Sequence, residues 1–189
     1  MPWGASLSSA CAPVLLIGGW RLAAARQPGG FDSASQTISA LAARGATDRW
    51  IMTTALAGVG VCYVVTAAGL RPVAVPGRLL LAAGGLATIW VAASPQPVTG
   101  DSTAHAAAAV TAFFALSVWP ALAARRCAKP GPGVLLSAAV GLLGLLGWFG
   151  IEYFSKGARI GLSERVLAGA QALWPLAAVL LTRRRPAHR

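Results

Sequence analysis

Hydrophobic residues fall into six long blocks along the chain, separated by short polar or proline-containing connections. Most blocks contain roughly 17 to 21 residues, and a helix of that length crosses about 30 Å of hydrocarbon at about 1.5 Å per residue. The third block is the shortest, but Arg78 and Pro95-Gln96-Pro97 mark its two ends. We therefore predict an all-α integral membrane bundle, one domain over 1–189, with six transmembrane helices at about 5–25, 50–70, 79–94, 104–124, 134–154 and 165–182.

The composition supports a membrane protein and argues against nucleic-acid binding. Hydrophobic residues make up 56% of the chain and charged residues 11%, and the mean hydropathy is +0.64, outside the range of soluble globular proteins. The net charge of +11 comes from basic residues at the ends of the apolar blocks, not from one basic stripe. No nucleic-acid partner is predicted.

The first block has the alternative reading of a cleaved signal peptide, because Ala23-Ala24-Ala25 resembles a cleavage site. No Lys or Arg precedes the block, however, and Trp3 and Trp20 have the spacing of two interfacial anchors. We expect the block to be retained as a transmembrane helix.

The distribution of charges predicts the orientation. With six spans, one set of connections holds nine basic residues and the other holds seven basic residues and all five acids. The first set comprises Arg71, Arg78, Arg125, Arg126, Lys129, Arg183, Arg184, Arg185 and Arg189. By the positive-inside rule we predict a multi-pass cell-membrane protein with both termini in the cytoplasm.

The cysteines suggest no disulfide and no metal site. Cys11 and Cys62 lie in apolar spans and Cys127 lies in a predicted cytoplasmic loop, so the three show no metal-ligand spacing. We predict small core residues at these positions, and no cofactor.

The polar stretch 31–50 separates the first two spans. Capping residues at 31–33, a run of helix length at 35–44 and a stop at Gly45 predict a short helix. Ile38 and Leu41 share its apolar face, and Ser35, Gln36 and Ser39 share another. We predict an amphipathic helix at about 35–44 that lies on the outer surface of the bundle as a lid.

Two segments of this layout resemble a known family. One is Thr37-Ile38-Ser39-Ala40-Leu41, followed by Gly45 and by Asp48-Arg49-Trp50 at the second span. The other is Asp101-Ser102-Thr103-Ala104-His105, which leads into Phe113-Phe114. The chain resembles the bacterial and archaeal membrane family called domain of unknown function 998 (DUF998), over nearly its whole length. It has a weaker similarity to the eukaryotic Frag/DRAM/Sfk six-span proteins, and that resemblance implies a link to lipid handling but no defined chemistry.

Three ionisable residues near the outer ends of the spans are candidate catalytic groups. Asp101 and His105 are four residues apart, a spacing that suits a carboxylate orienting an imidazole, although Asp101 also suits an ordinary helix cap. Glu152 reaches the same layer and is a candidate proton donor, or else a partner in a salt bridge with Lys156. We predict that Gln36 or Ser39 in the lid lies close to this layer.

Further candidates concern ligand binding. Gln36, Ser39, Trp148 and Tyr153 are predicted ligand-binding residues of the outer layer. Glycines recur every third residue at 141, 144, 147 and 150, which permits close helix packing or leaves room for a ligand chain.

Three functions remain open from the sequence. The preferred hypothesis is a protein that binds or organises a membrane lipid or isoprenoid in an outward-facing, partly polar cavity. The first alternative is a small membrane enzyme that uses Glu152 and the Asp101–His105 pair as acid and base in lipid hydrolysis, transfer or isoprenoid cyclisation. The second is a transporter, and the oligomeric state stays open.

Overall fold

Six α-helices, two short 3₁₀ helices and no strands make up the regular structure of residues 2–126 and 130–182, the ranges that this computed structural model describes. Each α-helix is apolar and long enough to cross a membrane, which confirms the predicted fold class. They are α1 (Trp3–Ala25), α2 (Trp50–Gly69), α3 (Val75–Ala93), α4 (Thr103–Ala123), α5 (Pro132–Phe154) and α6 (Ile160–Thr182). Cys127 lies outside the described residues, as do five basic residues that entered the orientation argument, namely Lys129, Arg183, Arg184, Arg185 and Arg189.

The helices close into a ring. Each one packs against its neighbours in the sequence, and α6 packs against α1. Because consecutive spans alternate in direction, the connections 26–49, 94–102 and 155–159 share one end of the bundle, which we call the first-loop side. The connections after α2 and α4 share the other end, the terminal side.

Helices α2 and α3 cross closely at a pair of glycines. A Cβ atom added to Gly60 would lie 2.5 Å from the carbonyl oxygen of Gly85, and one added to Gly85 would lie 2.7 Å from the carbonyl oxygen of Gly60. Glycine at both positions is therefore what allows the two backbones to meet.

Helix α5 lies at the edge of the bundle. Only Leu135, Ala139 and Leu142 of this helix are buried. A Cβ atom added at any glycine of the row 141, 144, 147 and 150 would meet nothing within 4 Å. The row therefore does not mediate packing among the described residues. The close helix packing predicted for it is wrong within this chain.

Two of the differences from the predicted element boundaries concern α6 and the first loop. Helix α6 begins at Ile160 instead of residue 165, so it includes Glu164 and Arg165. In the first loop, the predicted helix at 35–44 is a short 3₁₀ helix, Ser39–Ala42. The carbonyl oxygens of Ser33, Ala34 and Gln36 accept hydrogen bonds from α6, and the N–H of Ile38 donates to Glu164, so this part of the loop bonds to α6 and not along a local helix.

Candidate functional site

The first loop rests on the opening turns of α6. The backbone N–H of Leu162 donates to the carbonyl oxygen of Ala34 at 2.9 Å. The opening N–H groups of an α-helix have no partner within the helix, so the loop supplies an acceptor that the helix needs. This contact places the side chains of Glu164 and Arg165 beside the loop.

Glu164 is buried, with 3% of its surface exposed. One carboxylate oxygen accepts a hydrogen bond from the backbone N–H of Ile38, and the other accepts one from the hydroxyl of Ser39 at 3.4 Å. A buried carboxylate is tolerated only with such partners. The contact joins residues 126 positions apart in the sequence.

Arg165 holds the other part of the loop through a single nitrogen. Its Nη1 donates to the carbonyl oxygens of Ser33 at 2.8 Å and Gln36 at 2.6 Å, and to Gly161 within α6 at 2.8 Å. The guanidinium also lies 5.4 Å from the ring centre of Phe31, within cation–π range. Two consecutive residues of α6 therefore fix residues 31–39.

The loop also has internal order around Asp32. The hydroxyl of Ser35 and the N–H of Ala34 donate to its carboxylate, and these bonds lower the pKa of Asp32 below its ordinary value. The side-chain oxygen of Gln36 accepts from the N–H of Asp32 at 3.0 Å. The side chain of Gln36 is exposed, and its oxygen is hydrogen-bonded within the loop. The structure therefore does not bring this predicted ligand-binding residue to the bundle interior.

A cavity lies directly beneath Ile38 and Ser39, in the middle of the helix ring. It has about 60 Å³ of space, and its walls come from α1, α2, α3, α4, α6 and the first loop. The lining is mainly apolar, with polar groups from Ser39, Tyr63, Thr88, Glu164 and Gln171. Along α6 the lining residues Glu164 and Gln171 are seven positions apart, or about 10 Å along the helix axis.

The polar lining residues are tied to neighbouring groups. The side-chain nitrogen of Gln171 donates to the carbonyl oxygen of Phe113 at 2.9 Å and to the hydroxyl oxygen of Ser117 at 3.0 Å. The hydroxyl of Thr88 donates to the carbonyl oxygen of Gly84 at 2.8 Å. These bonds determine which atoms remain free for a ligand.

Asp101 and His105 do not form the predicted pair on one helical face. The helix cap is Ser102, whose hydroxyl oxygen accepts from the backbone N–H of His105, and Asp101 is an exposed residue before the helix. The ring of His105 is buried, and its Nδ1 donates to the carbonyl oxygen of Ser94 at 2.8 Å. This bond ties α4 to the end of α3.

Glu152, near the end of α5, forms a hydrogen bond within the connection between α5 and α6. Its carboxylate accepts from the backbone N–H of Arg159 at 3.0 Å. Its predicted alternative partner was Lys156, but the one salt bridge among the described residues joins Arg26 and Asp48 at 3.6 Å. The carboxylate thus has a structural partner in the turn.

The remaining predicted residues lie on α5. Tyr153 is exposed and its ring is tilted by 53° against that of Phe149, with ring centres 6.1 Å apart, and Trp148 is half-buried. The cavity lining includes Ser39 but none of the other predicted site residues, which are Gln36, Asp101, His105, Trp148, Glu152 and Tyr153. Catalytic or ligand-binding roles for these six stay predictions.

Sequence reasoning missed Glu164, Arg165 and Gln171. Ionisable groups inside an apolar helix often mark function, and this signal was present in the chain. For Glu164 this signal was obscured by the predicted start of the sixth span at residue 165, because that boundary placed Glu164 in a connecting loop.

Comparison with protein families matches residues 10–181 to the family described as "Protein of unknown function (DUF998)". No curated protein and no solved structure matches the chain. The match covers α2 to α5 completely, α6 except its last residue, and most of α1. It also includes the first loop and the α6 residues that hold it. With its six membrane-spanning helices, the chain belongs to the DUF998 family of membrane proteins.

Proposed function

We propose that this protein binds the hydrocarbon chain of a membrane lipid or isoprenoid in its central cavity, with the polar end of the ligand toward the first-loop side. The observation that carries this proposal is the mainly apolar cavity in the ring, which has Glu164 and Ser39 at the end beneath the first loop. An apolar space with a few polar groups at defined positions is the usual composition of a small-molecule site.

The size of the cavity favours one chain over a whole phospholipid. Its space of about 60 Å³ holds only a few groups of the size of a water molecule, each of which needs about 10–15 Å³ by the same kind of measure. A segment of an acyl or prenyl chain fits this space if the surrounding side chains adjust. A second chain has no room in it.

The first loop supports the proposal as a cover. Ile38 and Ser39 form part of the cavity wall, and Glu164 and Arg165 fix the loop in place. With the predicted orientation, in which both termini are cytoplasmic, this cover lies on the outer face of the cell membrane. Acid–base chemistry at Glu152, Asp101 or His105 receives less support, because these side chains lie outside the cavity wall.

The test compares two substitutions in α4. Ala112 is buried and lines the cavity, whereas Ala107 is exposed on the same helix. We expect Ala112→Leu to reduce binding of the ligand's hydrocarbon chain by more than about tenfold. The larger side chain excludes methylene groups of the ligand from the cavity, and each excluded group loses about 0.8 kcal/mol of binding free energy. Ala107→Leu should leave binding unchanged.

The measurement is photolabelling of the purified full chain in phosphatidylcholine nanodiscs. The probe is hexadecanol with a diazirine in mid-chain, and labelled peptides are mapped by mass spectrometry. Labelling of the cavity segments of α4 and α6 that is lost in Ala112→Leu supports the proposal. Labelling confined to lipid-facing positions, or equal in both variants, contradicts it.

A further inference from the structure

We infer that the central cavity selects an amphiphile whose head donates hydrogen bonds and carries no negative charge, such as an alcohol or a primary ammonium, and that it rejects phosphate and carboxylate heads. This inference rests on the proposed function. It follows from which hydrogen-bonding atoms of the cavity wall are already used within the protein.

Glu164 has accepting capacity that the loop does not use. A carboxylate offers about four lone-pair sites and no donor. The N–H of Ile38 and the hydroxyl of Ser39 occupy two of them, one on each oxygen. Because Glu164 also lines the cavity, its remaining lone pairs can accept from a ligand head.

Three other polar groups of the wall, those of Gln171, Thr88 and Ser39, already donate their hydrogens within the protein. Both hydrogens of the Gln171 amide have acceptors, in Phe113 and Ser117, so its oxygen is what the group can still offer. The hydroxyls of Thr88 and Ser39 donate to Gly84 and Glu164 and retain only acceptor lone pairs.

Tyr63 is the remaining hydroxyl of the wall, and a hydroxyl accepts as well as donates. The polar part of the cavity is therefore dominated by acceptors.

A negatively charged head finds no cationic side chain in this wall, and Tyr63 is the lining hydroxyl that can donate to it. The lining among the described residues contains no Lys, Arg or His. Arg165 lies next to Glu164 in the sequence but is not among the lining residues. Its Nη1 donates to carbonyl oxygens of the loop and of Gly161, and its Nε and Nη2 are buried with no hydrogen-bond partner among the described residues. A phosphate or carboxylate would face the acceptors of Glu164 and Gln171 in a site of low dielectric, where like charges repel strongly.

The experiment uses four probes that share one hexadecyl chain with a mid-chain diazirine and differ only in the head. The heads are hydroxyl, primary amine, carboxylate and phosphate. Charged heads differ in how they partition into the bilayer, so cavity labelling is divided by labelling of the exposed face of α5, where Val140 is 70% exposed. The protein is the full chain in phosphatidylcholine nanodiscs.

In the native chain we expect normalised cavity labelling by the hydroxyl and amine probes to exceed that by the carboxylate and phosphate probes by on the order of tenfold or more. Equal labelling by all four heads, or stronger labelling by the anionic heads, overturns the inference and leaves the proposed function standing. Cavity labelling that no probe raises above the α5 reference overturns the proposed function itself.

Two variants identify the residues responsible. Glu164→Gln adds a donor and removes the charge, so it should lower amine labelling by on the order of tenfold and raise carboxylate labelling. Thr88→Val, which removes one acceptor at nearly constant volume, should lower hydroxyl labelling severalfold. If Glu164→Gln does not fold, the ranking in the native chain and the Thr88→Val result still decide the question, and an unchanged ranking in both folded variants contradicts it.

Discussion

Replacing Gly60 with alanine tests the glycine crossing of α2 and α3, on which the cavity wall depends. The new Cβ atom would lie 2.5 Å from the carbonyl oxygen of Gly85 and 2.6 Å from Cγ1 of Ile89. Ordinary van der Waals contact of a Cβ atom begins at 3.4 Å. The helices must therefore move apart by nearly an ångström, because a backbone oxygen cannot rotate away as a flexible side chain can.

The expected cost follows from two opposing effects. Overpacking a close contact costs about 1–3 kcal/mol, and the rigid partner places this case near the upper value. Alanine in place of glycine within a helix recovers about 1 kcal/mol. We expect a net loss of about 2 kcal/mol, which corresponds to a melting temperature lower by roughly 4–8 °C in a chain of this size.

Gly144→Ala is the matched control. A Cβ atom there meets nothing within 4 Å, so only the helix-propensity gain of up to about 1 kcal/mol remains. The assay heats detergent-solubilised protein and follows the monodisperse fraction by size-exclusion chromatography with tryptophan fluorescence. The reasoning is refuted if Gly60→Ala melts at or above the native temperature. It is also refuted if both substitutions lower the melting temperature equally.

Three further predictions concern the loop, the topology and the candidate histidine. Arg165→Lys should speed hydrogen exchange of residues 33–41 by on the order of tenfold, because a compact ammonium on a flexible stem cannot both hold the position of Nη1 and keep the planar contact with the Phe31 ring. Asp101→Cys should react with a membrane-impermeant thiol reagent in intact cells, whereas Cys127 should react only after the cytoplasmic side is opened. His105→Phe should lower stability by about 1–3 kcal/mol, because it leaves a backbone carbonyl unpaired, without changing hexadecanol labelling of the cavity.

Each of these has a result that contradicts it. Unchanged exchange in the Arg165→Lys loop would mean that the other contacts to α6 suffice to hold it. Labelling of Cys127 in intact cells would reverse the orientation. Loss of cavity labelling in a folded His105→Phe protein would show that this candidate catalytic residue acts on the cavity and is not only a structural contact.

The sequence by itself was sufficient for the membrane fold and the family. Six apolar blocks of membrane length leave few alternatives, because a helix satisfies its own backbone hydrogen bonds in lipid. The segments around Ile38-Ser39 and Asp101 to His105 also indicated DUF998, and the family match over residues 10–181 confirms it. The membrane fold and the family are both indicated by local sequence patterns, so predicting them requires no knowledge of tertiary contacts.

Glycine roles were not readable from the sequence. The regular spacing of the glycines on α5 suggested close helix packing, yet a Cβ atom added at any of them meets nothing within 4 Å. The close crossing of α2 and α3 is instead formed by Gly60 and Gly85, which belong to no regular row. Periodicity reports which residues share a helical face but not what that face contacts. Only the packed ring decides that question.

The candidate site was also a product of tertiary structure. The outer polar layer predicted around His105 and Glu152 consists of separate structural contacts, and the buried carboxylate of the cavity is Glu164, which a hydropathy boundary had assigned to a loop. Its partner Ile38 lies 126 residues away. Sequence fixes which side chains can donate or accept hydrogen bonds, but only the fold determines which of those atoms are already paired and which still face the cavity.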